Sequence, residues 1–405
     1  MSRPRLLDRV RATVSGRSAR VVVVGPPGSG KTVLLRQAEA ASRAEGEVVA
    51  WYTADRTDRT AEVVLAAIGT VLARATGARP RWVQNPRDLV DLLADQARPV
   101  TLVVDDAHLL TGSAVEVVPR LADLLPPYAR LAVAGRQEAP GWARLHLSGP
   151  VVRLDADDLR FQLSEVEELV ALDGDETALL AQRTEGWAAG LRLFQLGTAS
   201  WRPEDRRRLL DGAWHSLPLL RQYFTANVLD ELSAEERDFL VGTSVLPWLC
   251  APWCDALLGR FDSARLLDEL VERNMFVTLT DRRSGRYRCH PLLRDHLTAE
   301  LGRRLQPSER RARYRRAGQL LESAGAEPAL RREALRAYAH AGDLWATARL
   351  TPASWSEVVE PARAGGDAAV QPPVRPAPER GAIPWKADAL GRWGAAGHGG
   401  GPGRR

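Results

Sequence analysis

Lysine is almost missing from this chain: of 405 residues only Lys31 and Lys386 are lysines, and the other 54 basic residues are arginine. Such a bias looks like GC-rich coding. Scattered arginines then say little about nucleic acid, because a formal charge of +5 spread along the whole chain makes no localised positive field. The same scarcity makes Lys31 stand out. Cysteine is also rare: Cys250, Cys254 and Cys289 cannot form a fully paired framework and agree with a reducing compartment. Their spacing with His290 fits no strong zinc pattern, so they read as buried structural thiols. No window approaches the roughly 18 to 20 consecutive apolar residues that span a bilayer. The start, MSRPRLLDRVRA, carries charge where a secretory signal has its apolar core. The expected location is cytoplasmic, with no membrane partner. What the chain does have is 45% apolar and 26% charged residues, which is enough for two or three packed domains and excludes wholesale disorder.

Four short apolar runs, Val21–Val24, Val48–Trp51, Val100–Val104 and Leu131–Ala134, alternate with segments of helical period, and Val151–Leu154 is a fifth. Continuous β-branched runs read as strands buried on both faces of a parallel sheet with helical crossovers, an α/β fold with helices on both faces. Asn85 before Pro86 supplies a cap and a first-turn proline for the helix carrying Leu89, Leu92 and Leu93. The sheet domain is expected over residues 1–158. From 159 to 230 the chain reads as a helical domain, and Ser164 with Glu167, then Ser233 with Glu236, fit the S-x-x-E box of a helix start. Phe276–Thr280 and Arg286–His290 flank the polar turn Asp281–Gly285, a hairpin that with the preceding helices predicts a winged helix over 231–300. Residues 301–350 carry small and apolar positions at helical spacing, including Tyr314, Ala317, Leu321, Leu335 and Tyr338, broken at Gly325 and Gly342. They predict paired antiparallel helices, a short helical-repeat-like segment. The tail, 351–405, has 18 Gly and Pro among 55 residues and is assigned no structure.

The chemistry concentrates near the start. Gly25-Pro-Pro-Gly-Ser-Gly-Lys-Thr32 satisfies G-x-x-x-x-G-K-[ST] between a strand and a helix, the order a phosphate-binding loop requires. Gly25, Gly28 and Gly30 allow a tight loop whose amides, with that of Ser29, face phosphates, and the helix start adds positive potential. Lys31 would reach the β- and γ-phosphates of ATP, and the Thr32 hydroxyl would hold Mg²⁺. Thr101-Leu-Val-Val-Asp-Asp-Ala-His108 then has the form of a Walker B element. Asp105 would orient the metal through water and Asp106 would polarise an attacking water, although such a pair also suits a helix cap. Arg136 closes the next strand, where a fixed charge would distinguish ATP from ADP; one arginine among 54 is also an ordinary surface group.

Taken together, these residues resemble the STAND signal-transduction ATPases, specifically the MalT-type, LuxR-related bacterial regulators. The likeness covers roughly residues 3 to 350. It rests on the phosphate loop, VVDDAH, the AGR ending the next strand, TEGWAAGLRL (184–193), YFTANVLDELSAEERDFLVGTSVL (223–246) and YRCHPLLRDHL (287–297), in family order. The resemblance implies an ADP-held closed state that an unknown inducer and ATP open for self-association, with slow hydrolysis. It makes Arg136 the sensor arginine and gives His290 a contact to the β-phosphate of ADP. Gly186-Trp187-Ala188 stands where many relatives have G-x-P near the base, and Ala188 in place of proline argues against a base contact there. Regulators of this type carry a long helical-repeat sensor and a C-terminal helix-turn-helix for DNA. Here one or two helix pairs precede a Gly/Pro tail, as expected of truncation or a shifted reading frame, so DNA binding is not expected. Alternative readings are a winged-helix DNA binder using Arg282, Arg283, Arg286 and Arg288, a nucleotide-binding remnant without output, and a small-molecule kinase. The last lacks room for an acceptor pocket in its short strand-to-helix connections.

Overall fold

The computed structural model describes residues 3–351, apart from 15–19, 80, 95–97, 127, 140, 148–149, 171, 213 and 326. The tail assigned to 351–405 lies outside the described residues after Thr351. Two compact units divide the chain: Met1–Glu231 with Asp268–Phe276, and Leu232–Leu267 with Val277–Arg405.

The first unit opens with α1 (Pro4–Val14), β1 (Arg20–Val24), α2 (Lys31–Ala44), β2 (Val48–Thr53), α3 (Ala61–Thr76) and α4 (Pro86–Ala94). It continues through β3 (Val100–Asp105), α5 (Val117–Leu124), β4 (Ala129–Gly135), α6 (Ala143–Leu147) and β5 (Val151–Leu154). All five expected strands form, each within two residues of the sequence reading. They make one parallel sheet in the order β2-β3-β4-β1-β5. The apolar runs are continuous because both faces are covered. Val22, Val24, Leu102, Val104, Leu131 and Val133 pack into one cluster with α3, α4 and α5. Their neighbours Val21, Val23, Val103, Ala132 and Ala134 pack into another with α1 and α2. Asn85 caps α4 as expected, its Oδ1 accepting from Arg87 N at 2.9 Å.

Arg3 pins the start of the chain. Arg3 is buried, and its guanidinium donates to Leu159 O at 2.6 Å and Arg160 O at 3.0 Å and lies 4.1 Å over the Phe161 ring. Beyond this clamp come α7 (Leu163–Leu169), α8 (Gly174–Thr184), α9 (Ala188–Thr198), α10 (Pro203–Asp211) and α11 (Pro218–Asn227). The box expected at Ser164 and Glu167 is displaced by two residues. Phe161 N is bonded to Gly186 O at 2.8 Å, so the chain is still extended at Gln162, and Glu165 Oε2 accepts from Gln162 N at 2.8 Å. Ser164 and Glu167 fall inside the helix.

The second unit holds α12 (Ala234–Thr243), α13 (Ala251–Leu258) and the first half of α14 (Ser263–Glu272), whose second half belongs to the first unit. The hairpin follows as β6 (Val277–Asp281) and antiparallel β7 (Arg286–Cys289), turned at Gly285 with φ +58°, and α15 (Pro291–Arg304) follows it. Leu249 exchanges both backbone hydrogen bonds with Tyr287, at 2.8 and 2.7 Å, and so extends the hairpin into the helix-and-wing order expected of a winged helix. Cys250, Cys254 and Cys289 are buried here as free thiols, and burial pushes Cys250 up to about 11. Next come α16 (Pro307–Ser323), α17 (Pro328–Ala341) and α18 (Leu344–Leu350), separated at Gly325 and Gly342. Gly318 lets α16 lie close on Tyr338 of α17: a Cβ there would sit 2.8 Å from the ring. Among the described residues no helix is long and apolar enough to cross a membrane.

Ser233 and Glu236 form the reciprocal box the sequence predicts, with Glu236 N donating to Ser233 Oγ at 3.1 Å and Ser233 N to Glu236 Oε2 at 2.8 Å. Ser233→Ala is expected to cost about 1 kcal/mol in denaturant unfolding of the second unit. An unchanged midpoint would show that the cap adds nothing.

Candidate functional site

The loop between β1 and α2 turns through Gly28 at φ +70° and Gly30 at φ +92°, left-handed positions that glycine adopts without strain. Gly30 precedes α2 with no side-chain cap, so the first amides of the helix keep their positive potential. Lys31, the first residue of α2, is only 7% exposed. Its Nζ donates back into the loop, to Gly25 O at 2.8 Å and Pro26 O at 3.0 Å. Burial brings its pKa down to about 8, against the charges of Asp106 and Asp105 and with that of Arg136. Ser29 Oγ is buried beside it without a hydrogen-bond partner, and Thr32 is exposed at the next helical position.

Asp105, 2% exposed, ends β3, and its Oδ1 accepts from Asp106 N at 3.0 Å. Asp106 sits in the left-handed region at φ +53°, and burial and then the Asp105 charge raise its pKa. Arg136 follows β4. Its Nη2 lies 3.4 Å from Glu231 Oε1 and its carbonyl accepts from Asn274 Nδ2 at 2.5 Å. Thus Gly25, Gly28, Ser29, Gly30, Lys31, Thr32, Asp105, Asp106 and Arg136 gather at the carboxyl ends of β1, β3 and β4, where open α/β sheets place their ligands. His290 lies in the second unit, ahead of α15, and its Nδ1 accepts from Leu292 N at 3.3 Å. That bond leaves Nε2 as the protonated nitrogen of the neutral ring.

Several partners of the site were not read from the sequence. Trp187 donates from Nε1 to Pro27 O at 2.9 Å, and Ala189 N donates to Gly28 O at 3.0 Å. The start of α9 is thereby seated on the phosphate loop. A Cβ on Gly28 would come within 2.4 Å of Tyr223 Oη and 2.6 Å of Ala189 Cβ. Trp187 itself is held by Tyr223, Phe224 and Phe276, with ring centroids 5.1 to 5.4 Å away. From sequence, the segment 186–188 bears only on a base contact. A buried indole next to a glycine was the available signal, since its N–H needs an acceptor. His108 and Glu231 are the other omissions. The His108 ring is mostly buried, and neither ring nitrogen has a hydrogen-bond partner.

The residues present fit a nucleotide with its metal. A buried ammonium bonded to carbonyls, an unpartnered hydroxyl and an uncapped helix start are donors awaiting phosphate oxygens, and Asp105 with Thr32 offers the oxygen ligands that Mg²⁺ prefers. Among the described residues no group of three or more His, Cys, Asp or Glu is placed to hold a metal ion by itself.

Comparison with known proteins agrees with this geometry. Residues 3–134 match the AAA ATPase domain and residues 225–309 the MalT winged helix domain. The chain thus carries a P-loop ATPase domain and a MalT-type winged helix domain. It is 27% identical over 326 residues to the serine/threonine-protein kinase PknK of Mycobacterium tuberculosis, covering 75% of this chain and 29% of that one. It is 26% identical over 312 residues to the HTH-type transcriptional regulator MalT of Klebsiella pneumoniae, covering 70% and 34%. The chain therefore spans about a third of the length of these relatives. A Walker-type ATPase of Pyrococcus abyssi shares the fold, with a TM-score of 0.53 and 14% identity over 73% of this chain and 95% of that one.

Burial, then the charges of Arg136, Lys31 and Arg56, push His108 down to about 3. Between about pH 6.5 and 3 the unfolded chain takes up a proton that the folded ring refuses, so stability falls as pH drops through that window. Wild type should lose stability relative to His108→Gln when denaturation is repeated at pH 7 and pH 5. Parallel losses in the two proteins would place the ring in contact with water.

Proposed function

We propose that this P-loop ATPase is a nucleotide switch, held closed by ADP and opened by ATP, with self-association as its output. The observation that carries the reading is Lys31, a buried ammonium bonded only to the carbonyls of its own loop and within electrostatic reach of Asp105, Asp106 and Arg136. In this scheme Lys31 turns from Gly25 O and Pro26 O to the β- and γ-phosphates, and the amides of Gly28 to Thr32 cradle them. Thr32 and Asp105 would hold Mg²⁺, which neutralises phosphate charge. Asp106, its pKa raised by burial, accepts a proton from the attacking water, and Arg136 senses the γ-phosphate. His290, donating from Nε2, is proposed to retain ADP in the resting state.

Glu231 gives the switch a physical form. Its carboxylate bonds Arg136 and Arg56, at 3.4 and 2.7 Å, so a γ-phosphate competes with an internal anion for the same guanidinium. The relatives support a switch more than a single chemistry. One is named for protein phosphorylation and the other for transcription, yet both share this segment. Control of DNA by this chain is a weaker reading. Of the four hairpin arginines, Arg286 is engaged by Glu327 at 3.6 Å and by the Trp248 ring.

The deciding experiment releases and identifies the nucleotide from protein purified without added ligand, then measures its mass with ADP and with ATP. Bound ADP in a monomer is expected, with larger species in ATP. Lys31→Ala should lose nucleotide and His290→Ala should lose ADP faster. No uptake of adenine nucleotide by folded wild type with Mg²⁺ would end the proposal, and unchanged ADP retention in His290→Ala would remove that residue from it. Asp106→Asn should keep ATP affinity within about twofold while hydrolysis falls about a hundredfold or more. Equal hydrolysis would relieve Asp106 of the water.

A further inference from the structure

Beside the phosphate loop, within the first unit, lies a pocket of about 370 Å³, in the size range of small-molecule sites. None of the residues from Gly25 to Thr32 lines it. Among the described residues, its charged lining consists of Arg56, Arg59, Arg136 and Arg273 with His108 and a single carboxylate, Glu231. The four arginines come from three separate places: the connection after β2, the end of β4 and the turn after α14. Arg56 and Arg136 share the Glu231 carboxylate, and Arg273 Nη2 donates to the Glu231 carbonyl at 2.9 Å.

Two features point to an anionic ligand. Four arginines lining one cavity against one lining carboxylate leave an excess of positive charge there, and the planar fork of arginine matches phosphate oxygens with paired hydrogen bonds. At the wall of the same cavity, His108 has an imidazole with 11% of its side chain exposed and no hydrogen-bond partner on either nitrogen. A buried polar group in that condition is unusual, and a ligand oxygen would satisfy it.

We propose that this pocket is an effector site for a small phosphorylated molecule, distinct from the nucleotide seat and joined to it through Arg136 and Glu231. A dianionic phosphate fits the charge better than a monocarboxylate, because it offers three oxygens to several guanidinium groups at once. Binding there would take Arg56 and Arg136 from Glu231, and so would act on the arginine proposed to sense the γ-phosphate.

The inference does not need the nucleotide reading, and its test separates the two. Inorganic phosphate is titrated calorimetrically into the nucleotide-free full chain, its Arg59→Ser and Arg56→Ser variants, and Lys31→Ala. Both arginines are exposed, so their variants should unfold at the wild-type midpoint. Loss of either should weaken phosphate at least about fivefold, while Lys31→Ala leaves it unchanged. Affinity lost in Lys31→Ala and kept in both arginine variants would place the phosphate in the γ-position of the nucleotide seat and overturn the proposal. Failure of wild type to bind phosphate at millimolar concentration would also overturn it. Uptake of ADP, measured separately on the same samples, reports on the nucleotide reading alone.

Discussion

A positive charge buried at the end of a buried strand is the constraint on which the rest of the site depends. The Lys31 ammonium has lost most of its water, so something in the protein must take water's place. Two loop carbonyls do so in part, and the carboxylates at the end of β3 supply the remaining field. Nothing in this arrangement is saturated. The loop amides have no side-chain cap, Ser29 has no partner, and the ammonium is bonded to neutral oxygens, so the site is preorganised for an anion carrying several oxygens.

The loop is also a structural joint. Trp187 and Ala189 hydrogen-bond two of its carbonyls, Tyr223 packs on Gly28, and the aromatic cluster holding Trp187 includes Phe276. The loop is thus in direct contact with the start of α9 and with α11. At the opposite side of the site Glu231 bonds Arg136 and Arg56, while Asn274 holds the Arg136 carbonyl. Asn274 and Phe276 both adopt left-handed backbone, at φ +50° and +60°, a costly conformation kept where the surroundings enforce it. These contacts tie the site to its surroundings at two places, the glycine loop and Arg136.

The phosphate loop, the strand runs and the Ser233 box were legible because each is decided by local chemistry. Glycine at left-handed positions, β-branched residues in a two-faced sheet, and serine three residues before glutamate carry their reasons within a few positions. The displaced cap of α7 shows where that logic stops: the backbone bond between Phe161 and Gly186 set where the helix begins, and no window around Ser164 contains Gly186.

Glu231, His108 and Arg273 were illegible for the same reason. An arginine-rich sequence has no way to say which arginines share a cavity, because convergence depends on how loops far apart in the chain are brought together by the sheet and helices. By itself the sequence determined the strand–loop–helix that binds phosphate, the acidic pair that follows, and the helical and winged character of what comes after. The tertiary structure alone decided that the indole just before α9 rests on the loop and that a glutamate after α11 pairs with Arg136. Hydrogen bonds and ion pairs between distant residues form only once packing has removed the water that would otherwise satisfy them.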